Sequence, residues 1–275
     1  MSERDALGRL PTAISQLVVQ VFGDDREALM AYAVEGGHGV EVADFISPEL
    51  LDDRGQTKKL VGWYRRRLAD VPGPHTLHGA FLDLLPSSVD PKVRAVARDR
   101  VVRCLDIAEA IGASAAVFHC DYNPVKLQPQ YPEEWNLRQA ALWREVMQGR
   151  SVALLIENVW DPRPEITAQA VDTIGAGSAG ICFDTGHAHI RGPLAPAEWV
   201  APLGERIRCL HLSDNDGAWD QHRAPGDGAI EWPSFFGALD RQGLRVPAVI
   251  EVDGVDGARA TERYLHGLTD SGGAA

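Results

Sequence analysis

The sequence predicts an α/β chain folded as a single (β/α)8 barrel, and three observations predict it. First, eight short apolar runs alternate with helix-like stretches along 275 residues. Such alternation favours a parallel sheet, and the length suits one closed barrel of about 250 residues. Second, the runs finish on, or just before, groups that can bind a metal or move a proton. ALLIEN reaches Glu157, GICFDTGH reaches Asp184 and His187, RCLHLSD reaches His211 and Asp214, and AVIEV reaches Glu251; LHGAF and AAVFH add His78 and His119. Third, side chains two apart on a strand face the same way. If Glu157, Asp184, His211 and Glu251 share the mouth of a barrel, then Leu155, Cys182, Cys209 and Val249 fill the layer beneath, and all four are small or apolar as a packed interior requires.

The elements follow in order. LVVQVF (17–22) is rich in β-branched residues and reads as the first strand. Asp24, Asp25 and Glu27 then open a helix with acids where its dipole favours them. GVEVADF (39–45) is the second strand and carries Glu41; residues 48–70 read as one helix ended by Pro72, Gly73 and Pro74. A third strand lies around 75–80. Asp90 and Pro91 cap an amphipathic helix with Val93, Val96, Val101, Leu105 and Ala108 on one face, and Gly112 ends it. The fourth strand is 115–119, with Cys120 turned outward to the helices. The loop DYNPVKLQPQYPEEW (121–135) is long enough for a lid or substrate-binding segment. Helix 133–148, strand 152–157, helix 163–174, strand 180–184, a short helix at 196–203 and strand 207–212 come next. A second long loop (213–232), helix 233–242, strand 246–252 and helix 257–267 close the pattern, and Ser271–Ala275 read as a frayed end. With no linker or low-complexity run, residues 1–275 are one domain with a core at about 15–267. Neither GxGxxG nor GxxxxGK[ST] occurs, which weakens nucleotide-binding alternatives.

Composition excludes several classes. A hydrophobic share of 45% and a charged share of 24% are those of a soluble globular protein, and no apolar run approaches the ~20 residues of a membrane span. The polar start MSERDALGRL lacks the apolar stretch of a secretion signal. Cys104, Cys120, Cys182 and Cys209 show no CxxC spacing and read as reduced core residues of a cytoplasmic protein. A net charge of −12 argues against a protein that holds nucleic acid by neutralising phosphates, although bound cations would offset it locally. Lys58, Lys59, Arg65, Arg66 and Arg67 read as a solvated helix face.

Glu157, Asp184, His211 and Glu251 offer three carboxylates and one imidazole from four consecutive strands. That mixed oxygen and nitrogen set suits Mn, Mg, Co or Zn. A wider layer surrounds it: His187 lies one turn beyond Asp184, Asp220 and His222 stand on one side of an extended segment, and His78 and His119 end strands three and four. His78 and His119 also fit buried hydrogen-bonding histidines. Asp214 and Asn215 fit either the site or a loop turn. His38, His75, His189 and His266 read as non-ligands, and Gly226 and Gly228 as residues permitting tight turns near the site.

HGAFLDLLPSSVDPKVR, AAVFHCDYNP, LLIENVWDP, CFDTGHA, LHLSDNDGAWDQHRAPGDGAIEW and VIEVDG together resemble the xylose-isomerase-like TIM-barrel superfamily over about residues 15–267. That superfamily includes sugar-phosphate isomerases and epimerases, ketose 3-epimerases and type IV apurinic endonucleases. The resemblance implies a metal held by Glu157, Asp184, His211 and Glu251, with His187 contacting substrate. The nuclease branch implies a trinuclear zinc set of His78, His119, Glu157, Asp184, His187, His211, Asp220, His222 and Glu251, and every position holds a suitable residue type. Gly217 stands where the ketose 3-epimerases carry a substrate-binding Arg.

Three readings follow. In the first, which is favoured, one divalent ion binds a sugar, sugar phosphate or related hydroxy-carbonyl compound and stabilises an enediolate. Glu157 and Glu251 face the reacting carbon from opposite sides and move the proton, His187 holds a hydroxyl, and Phe81 and Trp160 wall the substrate. In the second, two or three zinc ions serve a phosphoesterase, with Phe81 and Leu82 where the nuclease branch intercalates DNA; the acidic charge argues against DNA itself. In the third, the barrel binds a sugar or a metal without catalysis. Barrels of this type often pair, so a homodimer is compatible with all three.

Overall fold

The eight strands close on themselves in the order β1-β2-β3-β4-β5-β6-β7-β8, each parallel to its neighbours, in the computed structural model, which describes residues 9–175 and 177–270. The strands are β1 (Ile14–Val21), β2 (Gly39–Val42), β3 (His75–His78), β4 (Ala115–His119), β5 (Ala153–Glu157), β6 (Ala179–Asp184), β7 (Ile207–Leu212) and β8 (Val246–Ile250). Around them run α1 (Arg26–Gly36), α2 (Pro48–Asp52), α3 (Arg54–Leu68), α4 (Pro91–Ile111) and α5 (Tyr131–Val146), then α6 (Pro164–Ile174), α7 (Thr185–Arg191), α8 (Pro196–Leu203), α9 (Trp232–Arg241) and α10 (Gly254–Asp270).

Two separate cores result from the strand alternation. Val18, Ala115, Val117, Leu155, Cys182, Cys209 and Val249 form a cluster of their own inside the barrel. The four residues expected beneath the site are all in it. The larger core lies between strands and helices, with Phe118, Phe183, Trp199, Trp232 and Phe235 among its largest buried side chains. Cys120 belongs to that outer core, as its parity requires. Each of the four cysteines is buried and free. At the barrel floor the β6–β7 register shifts by one residue, and the Arg208 stem crosses Gly180 so closely that a Cβ there would sit 2.7 Å from Arg208 Cδ.

Local chemistry explains where the structure departs from the expected boundaries. The helix expected over 48–70 is two helices, because Asp53 accepts hydrogen bonds from the Gly55 and Gln56 amides at 2.9 Å and so starts a new helix. Helix α7 is an addition to the expected elements: Asp184 ends β6 and at once caps α7 by accepting from the His187 amide at 2.5 Å. With Pro132 in its first turn, α5 begins at Tyr131, which shortens the preceding loop to residues 121–130. The polar start (1–8) and the tail Ser271–Ala275 lie outside the described residues. Among the described residues no helix is long and apolar enough to cross a membrane.

The long β7–α9 loop is held by one carboxylate. Asp214 is completely buried, and it accepts from the Asn215 and Ile230 amides on Oδ1 and from the Gly226 amide and Trp232 Nε1 on Oδ2, at 2.8 to 3.1 Å. Asp214 and Asn215 are therefore loop organisers. Gly228 is needed beside them, since a Cβ there would lie 2.2 Å from Asp214 Oδ1. Replacing Asp214 with Ala strands four donors. We expect Asp214→Ala to lower stability by at least ~2–3 kcal/mol in denaturant unfolding, and a loss below ~1 kcal/mol would show that the loop holds without it.

Candidate metal centre

Each side chain of the site is delivered by a strand end or by the loop that follows. Glu157 ends β5, Asp184 ends β6, His211 lies in β7 and Glu251 follows β8. His78 and His119 end β3 and β4, His187 is in the first turn of α7, and Asp220 and His222 come from the β7–α9 loop. Asp184 pairs with His211 across the sheet, and His119 pairs with Glu157. Ligand atoms of Glu157, Asp184, His211 and Glu251 all lie within 4.8 Å of one another, and the same holds for His78, His119 and Glu157 and for His78, His211 and Glu251.

The donor atoms converge without bonding to one another. Glu157 Oε1 and Oε2, Asp184 Oδ2, His211 Nδ1 and Glu251 Oε2 are buried and have no hydrogen-bond partner. His211 Nδ1 is only 2.7 Å from Glu251 Oε2, yet neither atom is in hydrogen-bonding geometry. An unpaired buried carboxylate oxygen is costly, so atoms placed in this way fit a cation at their centre. Three carboxylates and an imidazole are hard to borderline donors, suited to a divalent ion.

The imidazoles are oriented from behind. His78 Nδ1 faces Gly79 O at 3.0 Å, His187 Nδ1 faces Asn158 O at 3.0 Å, and His222 Nδ1 faces Glu251 O at 3.2 Å. Each carbonyl can only accept, so Nδ1 carries the hydrogen and Nε2 is turned into the site. His78 Nε2 then lies 3.2 Å from Glu157 Oε2, while His187 and His222 Nε2 lie 3.1 and 2.9 Å from the same oxygen of Asp220. His119 stacks on Phe81 with centroids 4.1 Å apart, and its Nε2 is 3.5 Å from Glu157 Oε2. All nine residues of the wider set are thus gathered at one mouth.

Some residues stand elsewhere. Trp160 is 48% exposed and does not line the cavity of about 200 Å³ beside the donors, whose walls include Phe22, Ile46, Phe81 and Val252. Asp161 explains why: it is buried, accepts from the Val159 amide and the Cys120 thiol, and pins the loop with Trp160 turned outward. His38 contacts Glu262, as does His266; His75 contacts Val71 O, and His189 contacts Asn215. Sequence reasoning assigns no role to Glu41, Gln20 or Thr76, yet they are buried directly behind His211 and Glu251. The available signal is a lone acid in the strand GVEV.

Fold and site together define a barrel whose strand ends gather buried donors that could hold a metal ion. The chain belongs to the xylose isomerase-like TIM barrel family, whose sequence pattern matches residues 36–268. It is 29% identical over 168 residues to an uncharacterized protein of Methanocaldococcus jannaschii, covering 57% of this chain and 56% of that one; the chain spans about half the length of the curated relatives it matches. Among solved structures, it is similar to the TTHB071 protein from Thermus thermophilus soaked with ZnCl2, at 28% identity and a TM-score of 0.77, covering 93% of this chain and 98% of that one. A D-tagatose 3-epimerase-like protein shares the fold at 23% identity and a TM-score of 0.75, covering 93% and 97%.

Charge balance in the centre follows from burial. Burial alone would push the Glu157 carboxyl up, but His119, His211 and His187 hold it well below the usual range. Glu251 is likewise burdened by burial and lowered by His211. Burial raises Asp184 to about 7. Burial opposes charge on His187, His211 and His222, yet the surrounding carboxylates outweigh it. They hold His187 and His211 well above their ordinary value, and His222 is raised to about 10, chiefly by Asp220. Without a cation these imidazoles therefore keep their protons at neutral pH. A cation held by Glu157, Asp184, His211 and Glu251 must displace the protons on His211 and Asp184, so rising pH favours the cation. Zn2+ titrated calorimetrically in buffers of different ionisation enthalpy is expected to show net proton release, with binding tightening from about pH 6 to about pH 8. Affinity independent of pH would contradict this balance.

Proposed function

We propose that the protein is a divalent-metal-dependent isomerase or epimerase acting on a sugar or a related small hydroxy-carbonyl compound. One observation carries the reading: buried, unpaired oxygen and nitrogen atoms of Glu157, Asp184, His211 and Glu251 face one point. When bound there, a divalent ion supplies a Lewis acid that polarises a carbonyl and steadies developing negative charge. The chain's own residues do the rest. Glu157 and Glu251 come from strands three apart in a closed ring of eight, so they approach a reacting carbon from different walls. One carboxylate takes a proton and the other returns it. His187, oriented by Asn158 O, holds a substrate hydroxyl, and Phe81, stacked on His119, forms an apolar wall that keeps water from the reacting carbon. The cavity of about 200 Å³ suits a small molecule. Several solved barrels of similar fold carry epimerase names, among them 3-keto-D-glucoside 4-epimerase of E. coli at 14% identity and a TM-score of 0.68, covering 93% of this chain and 97% of that one; that likeness speaks to the fold and agrees with the reading.

A second reading, a multinuclear phosphoester hydrolase, is favoured by one specific observation. His78 and His119 at Glu157, and His187 and His222 at Asp220, are further imidazole–carboxylate groups beside the first. Metal stoichiometry and product separate the two. The expected result is one tightly held ion per chain, turnover of a ketose or hydroxyketone with exchange of a carbon-bound proton into D2O, and a loss of at least ~100-fold in kcat for Glu157→Gln or Glu251→Gln. Two or three ions with release of inorganic phosphate would replace the first reading by the second.

A further inference from the structure

We propose that Glu41 is the positioning residue of the centre: it holds the Nε2 hydrogen of His211 and so aims the Nδ1 lone pair at the other donors. This rests on the metal-centre reading above. Glu41 lies in β2 and is completely buried inside the barrel. Its Cα neighbours across β1 and β3 are Gln20 and Thr76, so the three side chains form one row on the inner wall. Gln20 donates to Oε1 at 3.2 Å and Thr76 donates to Oε2 at 2.8 Å. His211 reaches across from β7 and places Nε2 3.2 Å from Oε1 and 3.3 Å from Oε2. Gln20 also donates to Glu251 Oε1 at 3.0 Å, so one row braces two of the four donors.

The contrast with the other imidazoles gives the row its meaning. His78 and His222 each rest an outward nitrogen on a neutral backbone carbonyl, and His187 Nδ1 meets Asn158 O while also lying 3.1 Å from Glu157 Oε1 within the site. The outward nitrogen of His211 rests on a carboxylate. An ionised acceptor makes a stronger hydrogen bond than a carbonyl and raises the basicity of the opposite ring nitrogen. His211 is also the one imidazole in the four-residue group of Glu157, Asp184, His211 and Glu251. A buried carboxylate whose neighbours are two neutral donors and this ring has little packing value, since an apolar side chain would fill the barrel interior at lower cost.

Zn2+ affinity, measured by competition with a chromophoric chelator, tests the proposal. Glu41→Gln keeps the volume and removes the charge. Zn2+ is expected to bind about 10- to 100-fold more weakly to this variant, with the thermal unfolding of the metal-free protein little changed. A folded Glu41→Gln protein that binds Zn2+ within about twofold of the parent overturns the inference. A second measurement needs no variant. In the Zn2+-loaded parent labelled with 15N-histidine, His211 is expected to show a downfield, slowly exchanging Nε2–H; an unprotected His211 Nε2 overturns the inference even if Glu41→Gln does not fold. A parent chain that takes up no Zn2+ fails the metal-centre reading itself, and the inference falls with it.

Discussion

Burying several carboxylates at the mouth of one barrel demands positive charge, and the site is arranged around that demand. Glu41, Glu157, Asp184 and Glu251 are all buried. Carboxylates this close cannot all stay ionised in a water-poor setting unless protons or cations sit between them. Two sources of charge are available. Protonated imidazoles supply it in the metal-free chain, which is why His187, His211 and His222 hold their protons so firmly. A divalent ion would supply it more compactly, at donor atoms that are buried and lack hydrogen-bond partners of good geometry.

The barrel converts a sequence pattern into that arrangement. Period-two alternation lines the interior with Leu155, Cys182, Cys209 and Val249 and places a polar group one step above each. The floor is closed by apolar packing, so charge collects only at the upper end. Loops then add what strands cannot. Asp214 ties the β7–α9 loop into a fixed shape, and that shape sets Asp220 between His187 and His222. His222 has φ +46°, a left-handed backbone unusual for a residue with a side chain. The strain is sustained where His222 Nδ1 meets Glu251 O, which links the loop to the strand end it serves.

Much of this is legible in the residues. The eight strands, their order of chemistry and the inner layer follow from alternation, because a period of two leaves no freedom in which side a residue faces. The gathering of His78, His119, Asp220 and His222 with the four strand-end donors is also readable as a pattern of residue types. Glu41 is not. One acid among GVEV resembles the polar face of an edge strand until closure of the barrel buries both faces of β2. Helix α7 is hidden in the sequence because Asp184 serves at once as strand end, candidate donor and helix cap, with no turn residues to announce it. Nearness to Glu157 in sequence puts Trp160 at the substrate; Asp161 decides its direction instead, through hydrogen bonds that no spacing rule encodes.

The cavity beside the donors bears on which chemistry the centre serves. Its walls combine Phe22, Ile46, Phe81 and Val252 with Gln20, His78, His222 and Glu251, and among the described residues neither lysine nor arginine lines it. A phosphate group entering that space would meet carboxylates and apolar surface, with cations at the centre as its main source of attraction. A neutral polyhydroxy compound asks for less: one ion to gather its oxygens, hydrogen-bonding groups for a hydroxyl, and an apolar wall for its carbon face. The acidic chain as a whole, at −12, repels an anionic substrate further. Full loading of the wider donor set would reverse that local field, so the number of ions and the charge of the substrate are one question. Under the proposed single-ion reading, a neutral hydroxy-carbonyl compound fits this mouth better than an anionic one.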